Sequence, residues 1–337
     1  MNDGKNVVQN RHHNTYKERQ RVYQKTIESL DCQEYVNDFE VLVISDKKIG
    51  THKSTKAKAK LIIHPGKPGE KRNVAAAICD ADVLAFIDDD AFAKKDWLFN
   101  ILDFFKNNPD IHVVGGPNLT PPNSSVKERC SGYIFASFLG SAQMSARYSL
   151  KKSLKNCDER SLTACNLEIR KETFLKAGGF PEDIFPGEEV IMLHKLKYSG
   201  YKLYYNPKMI VYHLRRPFFI PHIKQVFDYG RCKGIIMKKY GLRMGLFSIL
   251  PAMATMYIFA TPLIGLFFNL LEIITAYCST IISMFLIFFI GAMRIALFNR
   301  DYIALPYLSI GFILHHISYG LGVLVGLVKN KKWCLAC

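Results

Sequence analysis

From Met244 to Val328 the chain is almost continuously apolar, with Glu272, Arg294, Arg300 and Asp301 as its only charged residues. In a bilayer each backbone N–H and C=O must be satisfied within the protein, and an unalternating apolar run does this as helices. A span needs roughly 20 residues. Gly245–Phe268 and Ile273–Ala292 each have that length. Ile303–Val328 is either a third span or a re-entrant or interfacial segment, because it carries Pro306, His315, His316, Gly322 and Gly326 and is followed by Lys329, Lys331 and Lys332. The turn Asn269–Glu272 has no Lys or Arg. Arg231, Lys233, Lys238, Lys239 and Arg243 precede the first span, and Arg294 and Arg300 follow the second. The positive-inside rule then predicts a multi-pass protein of the cell membrane with its soluble part in the cytoplasm.

Up to Arg243 the chain is mixed and charged, as in a soluble α/β domain. The formal net charge of +16 suits an anionic membrane surface, an anionic substrate, or both. Nucleic acid is not expected as a partner, since the basic residues are not interleaved with a recognisable binding module. The polar N-terminus shows no signal peptide. The nine cysteines are irregularly spaced. Only Cys334-Leu-Ala-Cys337 has a paired form, with no second pair or nearby His to complete a zinc site, so all are read as reduced structural thiols.

Strands and helices alternate along the soluble part. Tyr16–Leu30, Lys71–Cys79 and Trp97–Phe105 read as helices; Phe39–Ile44, Leu61–Ile63, Val83–Ile87 and Val113–Val114 read as strands. Lys47–Lys60 reads as a Lys-rich surface excursion. Thr163–Ile169 is a further strand, Lys171–Lys176 a short helix ended by Gly178-Gly179, and Tyr201–Tyr205 and Met209–Tyr212 short strands. Gln225–Tyr240 is a basic amphipathic helix leading to the membrane. Such alternation predicts a doubly wound, mainly parallel sheet.

The sharpest local feature is Val83-Leu84-Ala85-Phe86-Ile87 running into Asp88-Asp89-Asp90. Ligands of open α/β sheets bind beyond the carboxyl ends of strands, and three adjacent carboxylates are costly to hold together without a cation. The stretch is either a site for a hard divalent ion bound to phosphates or an acidic solvated loop.

Several motifs occur with it in order: Glu70-Lys71-Arg72-Asn73, Gly115-Gly116-Pro117, Gly178-Gly179-Phe180, Pro186-Gly187-Glu188-Glu189 and Val211-Tyr212-His213-Leu214-Arg215-Arg216-Pro217. Together they resemble the inverting glycosyltransferases of family 2, with the GT-A fold, over roughly residues 16–328. The similarity is greatest to members that carry C-terminal membrane helices and build lipid-linked or exported saccharides. The resemblance implies a UDP- or GDP-sugar donor, Mg²⁺ or Mn²⁺ held by Asp88 and Asp90, and a lipid-linked or membrane-presented acceptor. Asp88 also approaches the nucleotide, with Asp89 in a supporting place beside it. Asp46 matches the acid that contacts the base and Arg72 the arginine near the nucleotide; a turn residue and a surface ion pair are their alternatives. In the pair Glu188-Glu189, Glu189 takes the position of the general base. Members usually have Asp there, and Glu is one methylene longer; a misplacement of about 1 Å can cost about a hundredfold in rate. Both acids also suit a helix N-terminus. His213, Arg215 and Arg216 stand where cations meet the leaving diphosphate, or serve structure alone. Gln225 and Arg231 fall short of a Gln-x-x-Arg-Trp signature, which implies one sugar added per event.

Family members also begin with a hydrophobic strand carrying a Pro. Met1–Asn14 offers only Val7-Val8, so that strand is expected to be missing or degraded. The expected organisation is a loose 1–15, a GT-A domain over 16–230, a basic linker helix at 231–244, a membrane region at 245–328 and a basic tail at 329–337. The leading expectation is a metal-dependent membrane glycosyltransferase of the hexosyl type, acting in polysaccharide or glycoconjugate synthesis. The alternative is a non-catalytic or truncated relative serving as a membrane assembly subunit. Nucleotidyl transfer is disfavoured, since no Gly-rich, Lys-bearing phosphate loop opens the chain.

Overall fold

The computed structural model describes residues 16–34, 39–49, 58–241, 246–268 and 271–328. The expectations for 1–15 and 329–337, and most of the 47–60 excursion, lie outside these residues. The described chain parts into two compact units, one holding residues up to 122 and 143–214, the other 123–142 and 215–328. The division therefore falls after Leu214 rather than at 230, and the segment after the Pro-rich loop groups with the C-terminal helices.

In the first unit, α1 (Tyr16–Asp31) precedes β1 (Glu40–Ser45), β2 (Lys58–Ile63), α2 (Pro68–Ile78), β3 (Val83–Ile87), β4 (Ala91–Ala93), α3 (Trp97–Asn107), β5 (Val113–Gly115) and β6 (Asn118–Leu119). After the excursion into the second unit come β7 (Asn166–Arg170), α6 (Lys171–Lys176), α7 (Glu188–Tyr198), β8 (Leu203–Tyr205) and β9 (Val211–His213). The strands pair as β1-β2, as β3-β7-β5-β8 and as β4-β9-β6. The expected α/β layering is present, but the pairing is mixed rather than mainly parallel. β1/β2, β5/β8 and β6/β9 are parallel, whereas β7 runs antiparallel to both β3 and β5, and β9 antiparallel to β4. The sequence alternation hides this because β4 and β6, two or three residues each, interrupt what read as loops.

Side chains of a strand alternate between faces, and β7 shows it. Leu167 and Ile169 point into one core with Leu84, Phe86, Phe174, Phe180 and Leu193. Val114, paired with Glu168, belongs to the other, with Trp97, Ile101, Ala91 and Val211. Glu168, on that second face, is fully buried with neither carboxylate oxygen hydrogen-bonded. Burial pushes its pKa well above the ordinary carboxylate value. Asn166 fastens the site end of the strand: its Oδ1 accepts from Trp97 Nε1 at 2.9 Å, and its Nδ2 donates to the Pro117 and Met209 carbonyls at 3.0 and 2.7 Å.

The second unit contains α4 (Val126–Ala136), α5 (Phe138–Ser141), α8 (Ile220–Tyr240), α9 (Leu246–Phe267), α10 (Leu271–Asn299) and α11 (Leu305–Val328). Of the linker helix expected at 231–244, the part up to Tyr240 is the end of the longer α8, and 242–244 lie outside the described residues. α9, α10 and the segment Tyr302–Val328 are each long and apolar enough to cross a membrane. The third segment is thus a continuous candidate span, not a broken one. α11 packs along α8 through glycines. A Cβ at Gly322 would lie 2.2 Å from the Phe227 carbonyl oxygen, and one at Gly326 2.1 Å from that of Arg231. A Cβ at Gly230 would meet the Tyr319 carbonyl oxygen at 2.1 Å, and one at Gly234 that of Val323 at 2.4 Å. Both helices therefore approach backbone to backbone, as small-residue seams allow. Asp301, before α11, accepts from Arg129 Nε of α4 at 2.7 Å.

Candidate active site

The acid triplet is the turn between β3 and β4, and α1 clamps it from outside. Thr26 Oγ1 donates to the Asp89 carbonyl at 2.9 Å, the Ala93 amide donates to Ser29 Oγ at 3.0 Å, and Gln33 Nε2 donates to the Lys94 carbonyl at 2.9 Å. The ladders on either side decide what faces the acids. β3 pairs Ile87 with Asn166, so the next antiparallel step sets Asp88 beside Cys165. β4 pairs Ala91 with His213. His213 Nε2 lies 3.0 Å from Asp90 Oδ1 and 4.0 Å from Asp88 Oδ2, and the Leu214 amide donates to the Asp90 carbonyl.

The acid pair comes from another part of the chain and meets the same group. Gly187, at φ 102°, turns the backbone into α7 and leaves Glu188 and Glu189 in its first turn. Arg72 of α2 then joins pair and triplet: one terminal nitrogen is 2.7 Å from Glu188 Oε1, the other 2.6 Å from Asp88 Oδ1. Burial alone would lower the Arg72 pKa, but the charges of Asp88 and Glu188 hold it above its usual value. Glu188 is pushed up to about 7 by burial and by the charge of Glu189, against the pull of Arg72. Asp89 is likewise raised well above the carboxylate range, by burial and by Asp90 and Asp88. Glu189, 7% exposed, accepts from Arg147 at 3.0 Å, and Arg147 Nε donates to the Arg160 carbonyl at 2.7 Å.

Asp46 ends β1. Its Oδ1 pairs with Lys71 Nζ at 2.7 Å and accepts from the Gly66 amide at 3.1 Å. The Gly178-Gly179-Phe180 turn is pinned by Asn73, whose Oδ1 accepts from the Phe180 amide at 2.8 Å and whose Nδ2 donates to its carbonyl at 2.9 Å. Phe180 in turn lies under the Arg72 guanidinium, 5.6 Å from ring centroid to Cζ.

Within the first unit the structure thus joins Arg72, Asp88, Asp90, Glu188 and His213 through direct contacts, with Asp89 and Glu189 adjacent in sequence and Asp46 fixed beside the start of α2. Arg215, Arg216, Gln225 and Arg231 belong to the second unit. There Gln225 Nε2 donates to the Tyr229 hydroxyl at 2.7 Å, and Arg231 pairs with Asp228 at 3.2 Å. Sequence reading passed over three side chains. Lys71 lay inside a quoted motif and was treated only as a helix start. Arg147 lies in an irregular 3₁₀ stretch with no motif around it. Cys165 reads from sequence as a structural thiol, and only the β3/β7 register brings it to Asp88.

Asp88, Cys165 and His213 each present a ligand atom within 4.8 Å of the other two. With Asp90 against His213, this is the one group among the described residues with the donors and spacing for a divalent cation. The carboxylates of Asp88 and Asp90 fit Mg²⁺ or Mn²⁺.

Comparison with known proteins bears on the fold and on the family that the chain is similar to. The family model described as Glycosyl transferase family 2 matches residues 14–172. A glucosyl-dolichyl phosphate glucuronosyltransferase of Haloferax volcanii is 25% identical over 150 residues, 42% of this chain and 46% of that protein. A dolichyl N-acetyl-alpha-D-glucosaminyl phosphate 3-beta-D-2,3-diacetamido-2,3-dideoxy-beta-D-glucuronosyltransferase of Methanococcus voltae is 31% identical over 156 residues, 45% of this chain and 43% of the relative. The chain thus matches less than half the length of these two curated relatives. Among solved structures, the mannosyltransferase PcManGT from Pyrobaculum calidifontis, in complex with GDP-Man and Mn²⁺, superposes with a TM-score of 0.52 at 15% identity, covering 93% of this chain and 84% of that one. The fold is GT-A, and residues 14–172, a little under half of the chain, match the model of glycosyl transferase family 2.

Proposed function

We propose that this chain is a membrane-attached, metal-dependent, inverting glycosyltransferase. It moves a sugar from a UDP- or GDP-linked donor to a lipid-linked or membrane-presented acceptor, with the catalytic unit on the cytoplasmic side. The observation that carries the reading is the Arg72 bridge: a single guanidinium ties Asp88 of the acid triplet to Glu188 of the acid pair. Donor-binding and acceptor-activating groups of the family's chemistry are thereby held at one end of the sheet. The three apolar helices and the dolichyl phosphate in the names of two relatives support the acceptor class.

In this reading Asp88, Asp90 and His213 hold Mg²⁺ or Mn²⁺. Bound there, such an ion would supply positive charge to a leaving diphosphate. Asp46 meets the base, with Lys71 holding its carboxylate in place. Glu189 takes the proton of the acceptor hydroxyl, and Arg147 orients that carboxylate. Glu188 fixes Arg72 beside the diphosphate. Asp89, its pKa raised, supports the turn rather than the ion.

A panel of UDP- and GDP-sugars with Mn²⁺ and a polyprenyl-phosphate-linked acceptor, read by release of nucleoside diphosphate, tests the proposal. Asp90→Ala and Glu189→Gln should each lower turnover by about 10²-fold or more. If no donor is turned over and the variants match the parent, the proposal fails. One observation favours a second reading, a non-catalytic relative: Glu189 is buried against Arg147. That reading requires no thermal stabilisation by UDP or GDP with Mn²⁺, whereas a binder is stabilised by mass action.

A further inference from the structure

We infer that Cys165 is a sulfur donor of the cation site, so that the site takes thiophilic divalent ions such as Zn²⁺, Co²⁺ and Cd²⁺ as well as Mn²⁺ or Mg²⁺. The inference deepens the proposed function, since it rests on Asp88 and His213 facing a cation. Its basis is positional. β7 is antiparallel to β3, and the step beyond the Ile87–Asn166 pair brings Cys165 to Asp88. β9 delivers His213 from the other side, opposite Ala91. The carboxylate, thiol and imidazole atoms all lie within 4.8 Å of one another.

Ligand atoms around one tetrahedral ion at about 2.0–2.3 Å stand roughly 3.3–3.8 Å apart. Closure on an ion therefore asks for about 1 Å of side-chain movement. Asp88 and His213 are half-buried side chains that can supply it. The cysteine is the fixed member. It is 3% exposed, and its neighbour Asn166 is held by Trp97, Pro117 and Met209. An O, S, N donor set is the chemistry of Zn²⁺ and its spectroscopic substitutes. Mg²⁺ takes oxygen and leaves the sulfur aside. The chain therefore carries two overlapping donor sets: Asp88, Asp90 and His213 for a hard ion, and Asp88, Cys165 and His213 for a softer one. A soft ion bound through sulfur would compete with the hard ion for Asp88 and His213.

The test is a Co²⁺ titration of the full-length protein in detergent. Cys334→Ser/Cys337→Ser is the background, which removes the other paired thiols. On binding, the thiol proton passes to solvent and a Co–S bond forms, giving a sulfur-to-cobalt charge-transfer band in the near ultraviolet. The band should saturate at one equivalent and be displaced by Zn²⁺. Cys165→Ser should abolish it and weaken Zn²⁺ by about 10-fold or more, with Mn²⁺ affinity held within about threefold. Cys165→Ala, which keeps an apolar packing atom, should lose the band equally. A band that survives in both variants, or bound Co²⁺ without the band in the parent, overturns the inference. The two claims fail separately. A Cys165-dependent band in a protein that turns over no donor leaves the metal site standing and sinks the activity. Donor turnover with no such band does the reverse.

Discussion

The two units of this chain are held together in opposite ways. At the site end of the first, segments distant in sequence are joined by charges: Arg72 between Asp88 and Glu188, Arg147 on Glu189, Lys71 on Asp46, His213 on Asp90. In the second, α8 and α11 are joined by the absence of side chains, at Gly230, Gly234, Gly322 and Gly326. The first arrangement is conditional. Its acids are buried and crowded, and Arg72 holds two of them at once. The second is steric and insensitive to pH or salt. The donor exchange proposed for the site suits the first kind of bond, and a helix pair with a fixed seam the second.

The comparison breaks most visibly at the seam. Gly326→Leu drives a side chain into the Arg231 carbonyl, and we expect a loss of about 3 kcal/mol or more, read as a lower Tm in detergent. If the variant melts with the parent, the helices are not packed backbone to backbone. Next in size is Arg72→Ala, which strands a buried Glu188 and a crowded Asp88. We expect a loss of about 2–3 kcal/mol, read as a lower Tm, and a loss of nucleotide affinity, with Arg72→Lys unable to restore both because a point charge does not span the two acids.

The charged unit should also answer to pH where the seam does not. Glu188 and Glu168 both have pKa values raised above the unfolded value of about 4.5. Each binds its proton more tightly when folded, so its contribution to stability is full below about 4.5 and falls as pH rises. For Glu188 the fall ends near its folded value of about 7; for Glu168 it continues to higher pH. Glu188→Gln should flatten the Tm profile between about pH 4.5 and 7, and Glu168→Gln should raise Tm at pH 8. A profile identical to the parent in both variants would show that these carboxyls are solvated. The smallest effect belongs to the second unit. Ser125 and Glu128 form a reciprocal cap on α4, and Ser125→Ala should cost about 1 kcal/mol.

What the sequence disclosed follows the same division. The acid triplet after Val83–Ile87, the start of α7 at Glu188 and the helix Lys171–Lys176 were legible because local patterns define them. The spans α9 and α10 were legible by hydropathy, and α11 only in part. Its proline, histidines and glycines argue for an interruption, whereas the glycines are where α8 lies against it. The antiparallel strand β7 was visible as a strand but not in its direction, since direction is set by tertiary pairing. Arg147 and Cys165 were illegible for that reason too: their neighbours come from β3 and α7, far along the chain. The Glu188–Arg72–Asp88 bridge unites residues up to 116 positions apart.

The central claim is that Asp88 and Asp90 grip a cation that grips a diphosphate. Titration of GDP and UDP into the full-length protein, with and without Mn²⁺, tests it most directly. The account predicts that Mn²⁺ tightens at least one nucleotide by about tenfold or more in the parent and by less than about twofold in Asp90→Asn. Equal affinity with and without Mn²⁺ in the parent, or an undiminished metal effect in the variant, would contradict it.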